Sequence, residues 1–97
     1  MKIIYFKMKL KEGTRDSFIE EAKRIDIFEK SRGENGNISY DYYLSIDDED
    51  EVIGFERWID DETFQTHLNG EIVKELEPLH EKYLISLDPS EFDTEQK

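Results

Sequence analysis

Four side chains with chemistry to offer fall close together in the stretch FERWIDDETFQTHLNG, residues 55–70: Glu56, Trp58, Phe64 and His67. An imidazole, whose free pKa is about 6.5, exchanges protons near neutral pH and is the commonest general base. A tryptophan offers a broad apolar plane with one N–H donor. Trp58 is the chain's one tryptophan, and His67 is one of its two histidines. Phe64, His67 and Leu68 stand at i, i+3 and i+4, so they share one face of any helix that contains them. That face must meet the sheet. His67 is therefore expected to project toward a sheet surface carrying Trp58.

The opposite wall comes from a second stretch, NISYDYYLSI at residues 37–46. If its hairpin with VIGFERWI is centred on the acidic run 47–51, Tyr42 lies across from Glu56 and Tyr40 across from Trp58. Asp41 then pairs with Arg57 on the other face. Gly54, on the same face as Glu56, leaves space there. The predicted result is a pocket for a small molecule, with aromatic walls, one imidazole and a few hydroxyl or carboxylate groups. Glu56 on a buried face needs a partner, which Tyr42 or His67 could supply. A half-buried histidine is also a common packing residue, because perturbed groups mark function only probabilistically.

The elements that hold these residues are legible from periodicity. KIIYFKMKL (2–10) alternates, sending Ile4, Phe6, Met8 and Leu10 one way and Ile3, Tyr5, Lys7 and Lys9 the other. Thr14 is placed to cap a helix carrying Phe18, Ala22, Ile25 and Phe28, with Gly33 closing it in the left-handed conformation. Asn35-Gly36 turns into the second strand, which puts Ile38, Tyr40, Tyr42, Leu44 and Ile46 on one face. Residues 52–59 form the third strand. Asp60 caps a second helix that falters at Asn69-Gly70, resumes through Ile72, Val73 and Leu76, and stops at Pro78. KYLISL (82–87) is the last strand. The order β-α-β-β-α-β is the ferredoxin-like split βαβ, an α+β fold with an antiparallel sheet and both helices on one face. Residues 1–88 make a single domain, and the acidic residues 89–97 are expected to fray.

One face of the sheet has no helix to cover it. It would carry Ile3, Tyr5, Tyr43, Ile53, Phe55 and Ile59, too large an apolar patch to leave in water. Packing two such faces together predicts a homodimer built sheet to sheet.

Composition narrows the partners. The chain has 97 residues and a net charge of −12, a field that repels nucleic-acid phosphates and anionic membrane surfaces. It has no cysteine, which excludes disulfides, thiol nucleophiles and zinc–thiolate sites and fits a cytoplasmic setting. No apolar run reaches the roughly 18 residues of a membrane helix, and the N-terminal apolar stretch is too short for a signal peptide. His67 and His80 lie on different segments without metal-ligand spacing, so no metal site is expected. The acidic run 47–51 lacks the glycine and spaced ligands of a calcium loop.

Two motifs carry a family resemblance. Glu-Asn-Gly-Asn-Ile-Ser-Tyr-Asp-Tyr-Tyr, followed by Phe-Glu-Arg-Trp-Ile-Asp-Asp-Glu-Thr-Phe-Gln-Thr-His-Leu, resembles the antibiotic biosynthesis monooxygenase family over about residues 2–87. Members commonly read E-P-G … Y-D-L-Y and then Y-E-R-W-x-D … F-x-x-H. The resemblance implies a dimeric α+β barrel. It also implies a reaction class, since some members oxygenate quinols or polycyclic phenols without metal or flavin. On that reading no cofactor is needed: a deprotonated, electron-rich substrate reduces oxygen itself. His67 would be the base. Trp58, with Tyr40 and Phe64, would stack on the substrate, and Tyr42 or Glu56 would orient His67 or bond a substrate oxygen.

The match has departures. Asn35 stands where many relatives have proline. Lys7, His67 and Glu77 fall where haem-degrading relatives carry their Asn, Trp and His, so haem degradation is not expected. Two alternatives stay open: an isomerase or degrader of a small polar carbonyl metabolite, with a more polar pocket, and a non-catalytic ligand-binding dimer.

Overall fold

A computed structural model describes residues 1–94. The chain runs β1 (Lys2–Leu10), α1 (Arg15–Arg24), α2 (Ile27–Arg32), β2 (Asn37–Leu44), β3 (Glu51–Trp58), α3 (Asp61–Leu68), α4 (Glu71–Tyr83) and β4 (Leu84–Asp93). All strand pairs are antiparallel, in the order β2-β3-β1-β4. This is the ferredoxin-like α+β arrangement.

The alternation of β1 sets the core. Ile4, Phe6, Met8 and Leu10 are buried, and they pack with Phe18, Val52, Trp58, Phe64 and Tyr83. A second cluster joins Ala22, Ile27, Tyr40 and Leu76. The reverse face holds Ile3, Tyr5, Ile53 and Phe55 half-buried, with Tyr43, Phe92 and Ile59 exposed.

The expected first helix is two helices. Asp26 takes a left-handed conformation, φ 62°, which aspartate tolerates better than most side chains. The kink lets Ala22 and Ile27 both bury completely. Gly33 is not the left-handed stop; its φ is −82°, and the positive value belongs to Gly36 at 84°. Thr14 sits at the N-cap, but its hydroxyl donates to the Lys11 carbonyl at 2.7 Å and caps nothing. Asp60 does cap, accepting from the Thr63 N–H at 2.9 Å.

The β2–β3 register is displaced by two residues from the expected one. Tyr42 faces Gly54 and Tyr40 faces Glu56. An even shift keeps every side chain on its face, so Tyr40, Tyr42, Glu56 and Trp58 still look toward the helices. The cross-strand partners change, and the Asp41–Arg57 pair does not form. Arg57 Nε donates to Ser39 Oγ at 2.9 Å, and Asp41 pairs with Arg32 Nη2 at 3.0 Å. An irregularity between Asn37 and Ser39 leaves Ile38 unpaired and exposed. Ile46 lies beyond β2, fully exposed.

Pro78 does not end its helix. α4 continues to Tyr83, although an interior proline costs about 3 kcal/mol. The burial of Leu76 and Tyr83 on either side of it offsets that cost. β4 in turn starts at Leu84 and extends past the expected end at 87, so residues 89–93 do not fray. They pair with β1 from Phe6↔Pro89 to Lys2↔Asp93. Two anchors hold them. The buried Lys2 ammonium reaches Asp61 and Glu91 at 3.1 Å and Asp93 at 3.5 Å. The N-terminal amine donates to the Thr94 carbonyl at 2.7 Å. The remainder of the expected tail, 95–97, lies outside the described residues.

Candidate active site

Between the helices and the β4 side of the sheet lies a cavity of about 350 Å³, within the size range of small-molecule sites. Ile4 and Phe6 form its floor. Leu68, Val73 and Leu76 come from the helices, and Leu87, Pro89 and Glu91 form a rim on β4. Tyr40, Tyr42, Glu56, Phe64 and His67 all line it. Five of the six site residues expected from the sequence thus meet at one hollow.

The sixth does not. Trp58 is completely buried and is not among the lining residues. It lies behind the site, its ring 4.8 Å from that of His67 and 6.4 Å from that of Phe64. Its indole Nε1 donates to Glu56 Oε1 at 3.0 Å. In this structure Trp58 positions Glu56 and presents no face to a ligand.

Gly54 also acts differently from expectation. The Phe6 ring fills the space above it, and a Cβ there would stand 2.0 Å from that ring. The glycine admits Phe6 to the floor and adds no volume of its own.

His67 is held between two carboxylates. Nδ1 lies 2.5 Å from Glu34 Oε1, and Nε2 lies 3.6 Å from Glu56 Oε1. Glu34 follows α2 by two residues, in the turn that precedes Gly36. Its role was missed in the sequence: 33 residues separate the pair, and no local spacing links them. The one available signal was its place in the Glu-Asn-Gly motif that opens the family-like stretch.

The electrostatics follow from burial. Desolvation pushes the Glu56 carboxyl above its ordinary range, while the nearby His67 and the Trp58 N–H pull it back. The Tyr40 and Tyr42 hydroxyls share a hydrogen bond of 3.1 Å. Burial raises both phenols, so both remain protonated donors at neutral pH. The Tyr40 ring lies 5.8 Å from that of His67.

His80, set aside in the sequence, also lines the cavity. Among the described residues no group of three or more His, Cys, Asp or Glu side chains is placed to hold a metal ion, and no helix is long and apolar enough to cross a membrane.

Comparison with known proteins agrees with this fold. The sequence profile of the family described as antibiotic biosynthesis monooxygenase matches residues 1–78. The Bacillus subtilis protein named "Putative monooxygenase YcnE" is 30% identical over 60 residues, which make up 62% of this chain and 61% of that protein. The match thus spans about three fifths of that curated relative. A conserved protein from Methanosarcina mazei Go1 superposes with a TM-score of 0.86 at 20% identity, covering 97% of this chain and 92% of the other. PA3566 from Pseudomonas aeruginosa superposes with a TM-score of 0.84 at 19% identity, covering 98% and 94%. At such identities the superpositions establish a shared fold.

Proposed function

Given that this chain belongs to the antibiotic biosynthesis monooxygenase family, we propose that it is a cofactor-independent monooxygenase of a quinol-like or phenolic aromatic molecule, with His67 as the base. The observation that carries the reading is the Glu34–His67–Glu56 arrangement at the wall of an aromatic cavity. Glu34 accepts the Nδ1 proton of a neutral imidazole and so fixes the tautomer that leaves the Nε2 lone pair as the proton acceptor. Once Nε2 takes a substrate proton, the Glu56 carboxylate beside it stabilises the imidazolium. Trp58 keeps Glu56 in place from behind.

The remaining chemistry belongs to the substrate and oxygen. For an anthrone-like methylene, removal of one proton leaves a delocalised carbanion. One-electron transfer to O₂ and recombination of the radicals form a C–O–O bond. Reprotonation gives a hydroperoxide, which loses water to leave a carbonyl. One oxygen atom ends on carbon, and the other departs as water with both methylene hydrogens. Phe6, Tyr40, Tyr42 and Phe64 would hold the ring plane, and the aliphatic wall keeps the site dry.

A pocket for a small polar carbonyl compound would carry more charge; among the described residues that line this one, Glu56 and Glu91 bear the carboxylates on a largely aromatic and aliphatic surface. We further propose that the open sheet face joins two copies into a homodimer, and that the protein works in the cytoplasm, as its lack of cysteine fits.

The test is oxygen consumption with a reduced naphthoquinol or anthrone, with chelator present, comparing wild type with His67→Ala. Loss of about 10²-fold or more is expected on removing a general base. Equal rates in the two proteins would remove His67 from the reaction.

A further inference from the structure

Two carboxylates flank one residue of the cavity floor. In the sheet Ile4 pairs with Glu56 of β3 on one side and with Glu91 of β4 on the other, so the three stand in one row. All three line the cavity. Neighbouring strands lie about 4.8 Å apart, which puts the two glutamate backbones about 10 Å from each other with Ile4 midway. One row further along, Phe6 is flanked by Gly54 and Pro89, which carry no charge. Successive rows on one face are roughly 7 Å apart. The negative charge of the floor is thus concentrated in the row of Ile4. That row is also beside the imidazole, since His67 Nε2 lies 3.6 Å from Glu56 Oε1.

The lining does not cancel this charge. No lysine or arginine lines the cavity among the described residues. Lys2 reaches Glu91 at 3.1 Å, but it also meets Asp61 and Asp93, so the group of four stays negative. His67 lies between Glu34 and Glu56, and a proton gained there still leaves that trio negative. Desolvation lowers the pKa of His80, so its ring is neutral. The field outside has the same sign, because the whole chain carries −12.

We infer that the cavity selects its ligand by charge: Glu56 and Glu91 turn away a ring with a carboxylate beside its reacting hydroxyl, and the site takes uncharged rings. A ligand carboxylate above Ile4 would meet a like charge on either side, partly out of water, where Coulomb repulsion is strong. The proton to be removed therefore arrives on a neutral ligand and leaves it only inside, where the imidazolium and the new anion form together. This rests on the reading of the cavity as a phenol or quinol site and narrows that class to its uncharged members.

The test measures dissociation constants by calorimetry under nitrogen, at about pH 8, for 1-hydroxy-2-naphthoate and its methyl ester. The two share ring and hydroxyl and differ in charge. The wild type should bind the anion about tenfold or more weakly than the ester in low salt. The Glu91 side chain is 46% exposed, so its share of the repulsion is open to screening. Salt at about 0.5 M should narrow the gap by about two- to threefold. Glu91→Gln should narrow it by about threefold in low salt. The salt series on the wild type decides the matter even if the variant does not fold. An anion bound as tightly as the ester, or a gap that salt or Glu91→Gln leaves unchanged, would overturn the charge selection and leave the site reading intact. A wild type that binds neither probe would overturn both.

Discussion

Glu34 holds Nδ1 of His67 at 2.5 Å, across 33 residues of chain. The bond ties the turn before β2 to the last turn of α3 and sets the orientation of the imidazole. If Glu34 acts only through His67, Glu34→Gln should lower kcat by about tenfold while leaving KM nearly unchanged. His67→Ala should cost about 10²-fold or more. The double variant should be no slower than His67→Ala alone, because both changes remove the same function. Multiplied losses in steady-state oxygen uptake would show that Glu34 has a separate role.

The carboxyl of Glu56 gives a pH signature with a definite sign. Its folded pKa lies above the ordinary 4.5 because burial disfavours the charged form. Its contribution to stability is therefore complete below that ordinary value and is lost as pH rises through the folded one. Glu34, His67, Tyr40, Tyr42 and Trp58 surround it, and of these His67 opposes the loss when protonated. Glu56→Gln removes the titration. The difference in Tm, variant minus wild type, should rise from about pH 4.5 toward pH 7. A flat difference in calorimetric scans would show that Glu56 is not destabilised by its site.

Gly54 has no room for a methyl group. A Cβ would lie 2.0 to 2.5 Å from three atoms of the Phe6 ring, and that ring is buried on the cavity floor. Gly54→Ala should destabilise the fold by about 1–3 kcal/mol through overpacking, read from the urea midpoint. It should also lower probe affinity, since Phe6 lines the cavity and its displacement changes the floor. An unchanged midpoint would mean that the ring moves freely.

The open face of the sheet bears the prediction of assembly. Ile53 and Phe55 lie near its centre, half-buried within one copy, while Tyr43 stands exposed beside Ile53 and Phe92 stands exposed on β4, beyond β1. Ile53→Asp places a charge where two faces would meet and should convert a dimer to a monomer by light scattering. A wild type that is monomeric at micromolar concentration would remove the dimer.

Lys2 is the clasp on the C-terminal strand. It is only 7% exposed and meets three carboxylates. Lys2→Met leaves Asp61, Glu91 and Asp93 without their cation. Amide exchange over residues 90–93 should accelerate, and exchange in Met8 and Val52 at the core should not. Uniform acceleration would mean that the clasp supports the whole domain.

Much of this molecule is written in local patterns. The alternation Ile4, Phe6, Met8, Leu10 named the buried face of β1. The spacing of Phe64, His67 and Leu68 turned His67 inward, and Asp60 announced its helix. These rest on the periods of helix and strand, which a short window of sequence contains. The face of the β2–β3 hairpin survived a register error because the error was even. The partners did not survive it, since pairing depends on a turn whose length local residues do not dictate.

What the tertiary structure decided concerns contacts between distant segments. Glu34 reaches His67, Phe6 closes over Gly54, Trp58 sits behind the site, and Lys2 gathers β4. His80 reaches the same hollow as His67 because α4 runs on past Pro78. Composition and periodicity state which way a side chain faces. Which side chain it meets depends on how helices and strands from separate parts of the chain fill a common volume, and only the packed fold determines that.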